Sequence, residues 1–342
     1  MGQGENNFWK NLKKPIIGLA PMDGVTDAAM RFMVKKYGSF GSAQDRYPSV
    51  MFTEFTNVEG ISHAIRSHKW SLSHRLARNF KYDESQRPIV AQLFGKDPES
   101  FRIAAKLMVE LGFDGVDINM GCPAKNISEH GSGAALIGQP ELAGEIIEAV
   151  KDGVSLGHGV TGKLIPVSVK TRTGVSEIVT EKWIEHLLQF DLAAITLHGR
   201  TLKQLYQGEA NWEEIGKAAK LVKESGKETI FLGNGDVDSV QSAEDRVRRY
   251  GVDGVLMGRA AMGAPWIFNS NFKFEILNFK ARREMMIEHS RKYEEFFPGE
   301  PFMPMRKHLA WYAKGFEGAS ELRQKLVLTN SAAEVEEILR NI

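Results

Sequence analysis

Eight short apolar runs, most of them rich in β-branched residues, recur along the chain at residues 16–20, 50–53, 89–93, 115–119, 167–170, 194–197, 229–232 and 254–257. Each is bounded by Gly, Pro or polar residues, the punctuation expected of buried strands. The stretches between them are long enough for crossover helices. One carries Phe101, Ala105, Met108 and Leu111 at helical spacing, with Gly112 as a C-terminal stop. Another begins at Thr26, placed to cap a helix that ends near Tyr37-Gly38. An open doubly wound sheet would give a similar pattern, but eight strand–helix repeats favour closure into a (β/α)8 barrel.

Two segments are longer than a barrel requires: the basic stretch 60–87 and the Gly-rich stretch 153–166, both read as insertions or long crossovers. After Phe268 the β-rich runs stop. Phe279, Met286, Tyr293 and Phe297 form one helical stripe ended by Pro298-Gly299; Met305, Leu309, Tyr312 and Phe316 form a second. Leu322, Leu326, Val335, Ile338 and Leu339 suggest two shorter helices. The expected organisation is an α/β TIM barrel over residues 1–270 and a small helical domain over 271–342.

Composition narrows the function classes. Lys and Arg number 44 against 43 Asp and Glu, a net charge of +1 that excludes a wholly basic nucleic-acid binder but not a local basic patch. Cys122 is the only cysteine, so no internal disulfide and no Cys-based zinc site can form. A single thiol fits a reducing compartment, and a cytoplasmic location is expected. The polar first residues carry no secretory pattern, and no run of 18 apolar residues predicts a membrane span.

In such barrels the chemistry sits at the C-terminal ends of the strands. Those ends read Pro21-Met22-Asp23, Thr53-Glu54, Gln92-Leu93, Asn119 followed by Met120-Gly121-Cys122-Pro123, Lys170-Thr171-Arg172, His198-Gly199-Arg200, Gly233-Asn234-Gly235-Asp236 and Gly258-Arg259. The last two suit a phosphate, through bare glycine backbone and a fixed guanidinium, or are simply tight turns with a solvated arginine. Lys170 ends an apolar strand and needs an acceptor-rich partner, either the N1–O2 edge of a flavin or a carboxylate such as Glu54. Gln92 can bond a flavin edge or a neighbouring backbone group. Cys122 by residue type alone is a buried hydrophobe. Its place in a Gly-Cys-Pro loop past a strand end also suits a general acid, or a nucleophile with His198 or His130 as base. In the tail, Lys307, Trp311 and Lys314 fall together opposite the Met305–Phe316 stripe, a face suited to RNA or to solvent.

The motifs APMDGVTD (20–27), VAQLFG (90–95), DGVDINMGCPAKN (114–126), VSVKTRTG (167–174), LHGRT (197–201), GNGDV (233–237) and DGVLMGRAAMGAPWIF (253–268) together resemble the dihydrouridine synthases. RKHLAWY (306–312) resembles the helical domain of their bacterial B-type branch, so the likeness covers nearly the whole chain. The resemblance implies an FMN enzyme, re-reduced by NADPH, that converts tRNA uridine to 5,6-dihydrouridine. It makes Cys122 the proton donor to uracil C5, with hydride from the flavin to C6. It assigns Pro21, Met22, Asp23, Gln92, Lys170, His198, Asn234, Gly235, Asp236, Gly258 and Arg259 to FMN. It assigns Asn119, Arg172 and Arg200 to the uracil pocket. Lys307, Trp311 and Lys314 are the expected tRNA contacts. Asp23 stands where relatives often carry a small residue, and Phe55 where a Met is usual. The expected partners are tRNA and NADPH, with no metal and no membrane, and the chain is expected to be a monomer. The alternatives are an FMN barrel acting on a free pyrimidine such as dihydroorotate, and a non-redox RNA binder.

Overall fold

The computed structural model describes residues 7–38, 47–269 and 279–340. The strands are β1 (Ile16–Leu19), β2 (Met51–Phe52), β3 (Thr56–Asn57), β4 (Ile89–Phe94), β5 (Gly115–Met120), β6 (Val167–Arg172), β7 (Ala194–His198), β8 (Ile230–Asn234) and β9 (Gly254–Met257). They pair in parallel in the order β2-β1-β9-β8-β7-β6-β5-β4-β3, and β2 also pairs β4, which closes the ring. β2 and β3 are two pieces of the second barrel strand. The first pairs Ile89 and Val90 and the second Leu93 and Phe94, while Thr53 Oγ1 takes the Gln92 N–H at the break. All eight predicted strands are therefore present.

The helices are α1 (Phe8–Asn11), α2 (Ala28–Gly38), α3 (Val58–Arg66), α4 (Pro98–Glu110), α5 (Lys125–Ser128), α6 (Pro140–Thr161), α7 (Thr180–Leu187), α8 (Trp212–Glu224) and α9 (Val240–Tyr250) around the barrel. They are followed by α10 (Phe279–Phe296), α11 (Met303–Tyr312), α12 (Ala319–Leu326) and α13 (Ala332–Arg340). Gly112 ends α4 with a positive φ of 81°, as its position predicts. The cap of α2 is Asp27 and not Thr26. Asp27 Oδ1 accepts the Met30 N–H at 2.9 Å, whereas Thr26 Oγ1 closes a local turn onto Met22.

The barrel interior is divided along its axis. Ile16, Val50, Phe52, Val90, Ala194, Ile230, Leu232 and Leu256 pack with Trp9 of α1 into an apolar plug. The C-terminal half of the interior is polar, and this division leaves a mouth at one end only. Outside the strands, the larger core lies between sheet and helices.

Neither long segment is a loose insertion. Residues 153–161 are the C-terminal part of α6, and Gly153 and Gly157 let it touch α4: a Cβ at Gly153 would lie 2.1 Å from the Arg102 carbonyl oxygen. The stretch 60–87 holds most of α3 and 3-10 turns at Arg75–Phe80 and Glu84–Gln86. Its cations Arg78 and Lys81 turn to the tail helices. Arg78 stacks 4.2 Å from the Phe297 ring and donates to Tyr293 Oη (3.2 Å), and Lys81 Nζ donates to the Phe296 carbonyl (2.7 Å). The tail helices bury Met286, Tyr293, Met305, Leu309, Leu322, Leu326 and Val335 together with Ala28, Ala29 and Met33 of α2. Phe316 lies past the end of α11 but packs on Phe279, 5.1 Å between ring centres. The expected boundary at 270/271 lies outside the described residues.

Candidate functional site

Barrel register stacks the polar residues in tiers. Gln92 pairs with Asp117, and Asp117 with Ser168; Asn119 pairs with Lys170; Arg172 pairs with His198, and His198 with Asn234. Because parallel neighbours in register face the same side of the sheet, these side chains converge inside the mouth. Gln92 Nε2 donates to Asp117 Oδ2 and Ser168 Oγ to Asp117 Oδ1, both at 2.7 Å. Burial pushes the Asp117 carboxyl up to about 6, against those two hydrogen bonds and the Lys170 charge. Lys170 Nζ donates to Asn234 Oδ1 at 3.0 Å, and burial followed by the Arg172 charge brings its ammonium down to about 8. Glu54 is not its counter-ion. That carboxyl, raised to about 7 chiefly by burial, has Asp27, Arg31, Asp23 and Arg78 as its charged neighbours.

Cys122 follows β5 in a loop that side chains hold from two sides. Asn119 Oδ1 accepts the N–H groups of Gly121 (3.0 Å) and Cys122 (2.8 Å), and Arg172 Nε donates to the Gly121 carbonyl at 2.7 Å. Burial and the Asp23 charge push the thiol up from its ordinary value, partly offset by the Ala124 N–H, Arg172 and Lys170. The group is a protonated thiol at neutral pH, able to give a proton and to have the resulting thiolate stabilised by two cations.

The opposite wall is built around Arg200, which is 2% exposed. It donates to the carbonyls of Gln207 and Gly208, to Asp236 Oδ2 (2.6 Å) and to His198 Nε2 (3.3 Å). A guanidinium cannot accept, so His198 carries its proton on Nδ1. Burial and the surrounding Lys170, Arg172, Arg200 and Arg259 hold His198 well below its usual value, and it is neutral. Arg172 Nη1 reaches the carbonyls of Thr201 and Leu205, so both arginines brace the loop 201–208. That loop presents Tyr206, 57% exposed, with Arg172 and Arg259 5.8 and 5.4 Å from its ring centre. Nothing in the composition of that loop marks it; only the two arginines do.

Asp236 also accepts the Ala210 N–H (2.7 Å) and pairs with Arg259 at 2.7 Å. Despite partial burial, those partners hold its carboxyl below the usual value. Its side chain thus organises the rim. A depressed carboxylate contributes stability above its unfolded pKa, near 4, and loses it as pH falls through the folded value. Asp236→Asn should therefore cost about 2 kcal/mol at neutral pH, less than a fully buried pair because water reaches the rim. In thermal unfolding from pH 7 to pH 3, the deficit should stay constant to about pH 5 and shrink below pH 4. A deficit independent of pH would show that the carboxylate charge is not the cause.

At Gly258 a Cβ would come only to 3.3 Å from Met22 Sδ and 3.6 Å from Ala20 Cβ. Bare backbone there lies beside Arg259, bordered by Ala20 and Met22 from the segment that follows β1. α11 packs on the same rim, where Gly263 (φ 71°) abuts the Trp311 backbone. Lys307 Nζ lies 2.9 Å from where a Gly24 Cβ would stand, and its charge acts on Asp23 and Asp27. Trp311 packs edge-on against His308, 5.1 Å between ring centres. Lys314 does not share this face. It lies beyond the end of α11 at Tyr312, exposed, with its carbonyl accepting from Arg282. Phe55, at the break in the second strand, packs edge-on against Phe94 at 4.9 Å.

Asp117, Ser168 and Tyr206 are site residues that sequence reasoning missed. A signal existed for the first two: polar residues alternate at 117 and 119, and at 168, 170 and 172, the period of one strand face. Among the described residues no group of three or more His, Cys, Asp or Glu is placed to hold a metal, and no helix is long and apolar enough to cross a membrane.

Residues 18–342 match the family model described as dihydrouridine synthase. The chain is 36% identical over 336 residues to a probable tRNA-dihydrouridine synthase 2 of Bacillus subtilis, covering 97% of this chain and 95% of that protein. It is 34% identical to a probable tRNA-dihydrouridine synthase of Staphylococcus aureus, over 98% of this chain and 95% of that one. Among solved structures, a 2-naphthoyl-CoA reductase aligns with a TM-score of 0.49 at 11% identity, over 75% of this chain and 49% of that one.

Proposed function

Because the chain belongs to the dihydrouridine synthase family, we propose that it reduces uridines in tRNA to 5,6-dihydrouridine, with FMN in the barrel mouth and NADPH as reductant. The observation that carries this reading is a protonated thiol, Cys122, held at the rim of a mouth that also contains Lys170 and the bare backbone of Gly258. The residues fit FMN. Lys170 offers three donors, of which the Asn234 bond uses one, and Gly258 leaves its backbone bare beside Arg259. Gln92, Lys170, His198 and Asn234 would surround the ring. Pro21, Met22, Asp23, Gly235, Asp236, Gly258 and Arg259 would enclose the ribityl phosphate. Bound FMN would supply the hydride for uracil C6 after reduction by NADPH.

The chain's own residues do the rest. Lys170 would hold positive charge against the ring edge that gains electron density on reduction. Cys122 donates its proton to C5, and Arg172 and Lys170 stabilise the thiolate left behind. Asn119 keeps one N–H free for a base carbonyl, since Gln92 and the Cys122 loop use its other groups. A uridine can reach this depth only by leaving its stack, so the substrate base must be extruded. Lys307 and Trp311, joined by the exposed Tyr206, would meet the surrounding RNA.

The test is an anaerobic visible spectrum of the purified protein. Flavin bands bleached by NADPH and restored by unmodified tRNA, with dihydrouridine found in the RNA, support the whole reading. Restoration by free pyrimidines and not by tRNA would replace the substrate. No flavin, even after FMN is added, would remove the redox function.

A further inference from the structure

A continuous hydrogen-bond chain runs from the floor of the mouth to the Cys122 loop. Ser168 Oγ and Gln92 Nε2 donate to the two oxygens of Asp117. Asn119 Nδ2 donates to Gln92 Oε1 at 3.0 Å, and Asn119 Oδ1 accepts from the N–H groups of Gly121 and Cys122. Both ends have fixed polarity, because a carboxylate only accepts and a backbone N–H only donates. Each amide between them therefore has one orientation. Turning Gln92 over would set its carbonyl against the carboxylate. Asn119 would then have to turn as well, pressing its NH2 against two N–H groups.

Asp117 is 1% exposed and Gln92 fully buried, so water cannot repair a reversed link. A barrel interior gains nothing in stability from a carboxylate at this depth, where burial disfavours its charge. We infer that Asp117 is a positioning residue for the proton donor: acting through Gln92 and Asn119, it sets the polarity of the chain that pins the Gly121–Cys122 backbone.

Cys122, as the sole cysteine, reports its own placement through its rate of alkylation by iodoacetamide. At pH 8, Asp117→Ala should raise that rate about fivefold or more, by releasing the loop, and Gln92→Leu should do the same. The double variant should be no more than about twofold faster than either single one, because both act along one path. Ser168→Ala, which leaves the chain from Asp117 to Cys122 intact, should stay within twofold of wild type. Loss of negative charge near Lys170 would weaken a cation beside the thiol and slow alkylation, so a faster rate reads the loop and not the charge. A folded Asp117→Ala at the wild-type rate, or effects that multiply in the double variant, would overturn the inference. If Asp117→Ala does not fold, the isosteric Asp117→Asn decides. Placed in the Gln92→Leu background it should change nothing, and a further change there would sink the idea.

The kinetic arm rests on the proposed reaction. Asp117→Ala, or Asp117→Asn in its place, should lower kcat for dihydrouridine formation about tenfold with KM for tRNA within twofold. A shared fall in kcat and rise in KM would count against positioning. A wild-type protein that forms no dihydrouridine would remove the proposed function, while the alkylation series would still decide the role of Asp117.

Discussion

Replacing Cys122 with alanine should lower steady-state dihydrouridine formation about 10²–10⁴-fold, the usual contribution of a positioned general acid. FMN content and the rate of reduction by NADPH should stay within twofold of wild type, because neither needs the thiol proton. The thiol is suited to its task by an environment that works in two directions. Burial and Asp23 keep it protonated, while Lys170, Arg172 and the Ala124 N–H favour the thiolate once the proton has gone. Serine at this position conserves shape but has a far weaker acid, so Cys122→Ser should resemble the alanine variant. The measurement is single-turnover oxidation of the NADPH-reduced enzyme by unmodified tRNA. An alanine variant within threefold of wild type would assign the proton to water or another residue.

The second large effect is expected at Gly235, whose φ of 121° lies where L side chains rarely go. A Cβ there would stand 2.6 Å from Ala210 Cβ and 2.9 Å from His198 Cδ2. Gly235→Ala must therefore bear backbone strain of roughly 1–3 kcal/mol and overpacking of similar size. We expect a total loss of about 3 kcal/mol. Relief by moving His198 would disturb its bond to Arg200, and with it the Arg200–Asp236–Arg259 rim. The variant should thus lose FMN affinity as well as stability, at least tenfold by flavin titration. Gly251, at the end of α9, has a positive φ of 69° but no atom within 4 Å of its Cβ position, so Gly251→Ala should cost less and leave FMN binding unchanged. Equal effects at the two glycines would refute the steric argument.

Much of the fold was legible because its signals are local. A strand run, a helical stripe and a glycine stop are each written within ten or so residues, and eight repeats leave few architectures open. The break in the second strand was not legible, since it depends on Thr53 meeting the Gln92 N–H from a neighbouring strand. That the Gly-rich stretch continues a crossover helix was not legible for a related reason. Gly153 and Gly157 are in a helix with α4 close against them, although intrinsic propensity alone disfavours glycine there.

The candidate site divides in the same way. Much of its membership followed from sequence: in a parallel barrel every strand ends at one mouth, so Cys122, Lys170, Arg172, His198, Asn234 and Arg259 could be gathered from strand ends alone, whereas Asp117, Ser168 and Tyr206 could not. Their roles depended on partners far along the chain. Arg200 is committed to Asp236 and to the loop 201–208, Lys307 faces Asp23 and Asp27, and the basic stretch lends Arg78 and Lys81 to the tail helices. Asp117 meets Gln92 and Ser168 across strands 25 and 51 residues away. The sequence by itself determined the barrel, the mouth and the thiol at its rim, because hydrophobic period and strand ends are properties of a single segment. Only the tertiary structure decided which charges are paired, which amide faces which way and which cation is left for a ligand, because register around a closed sheet brings those groups together.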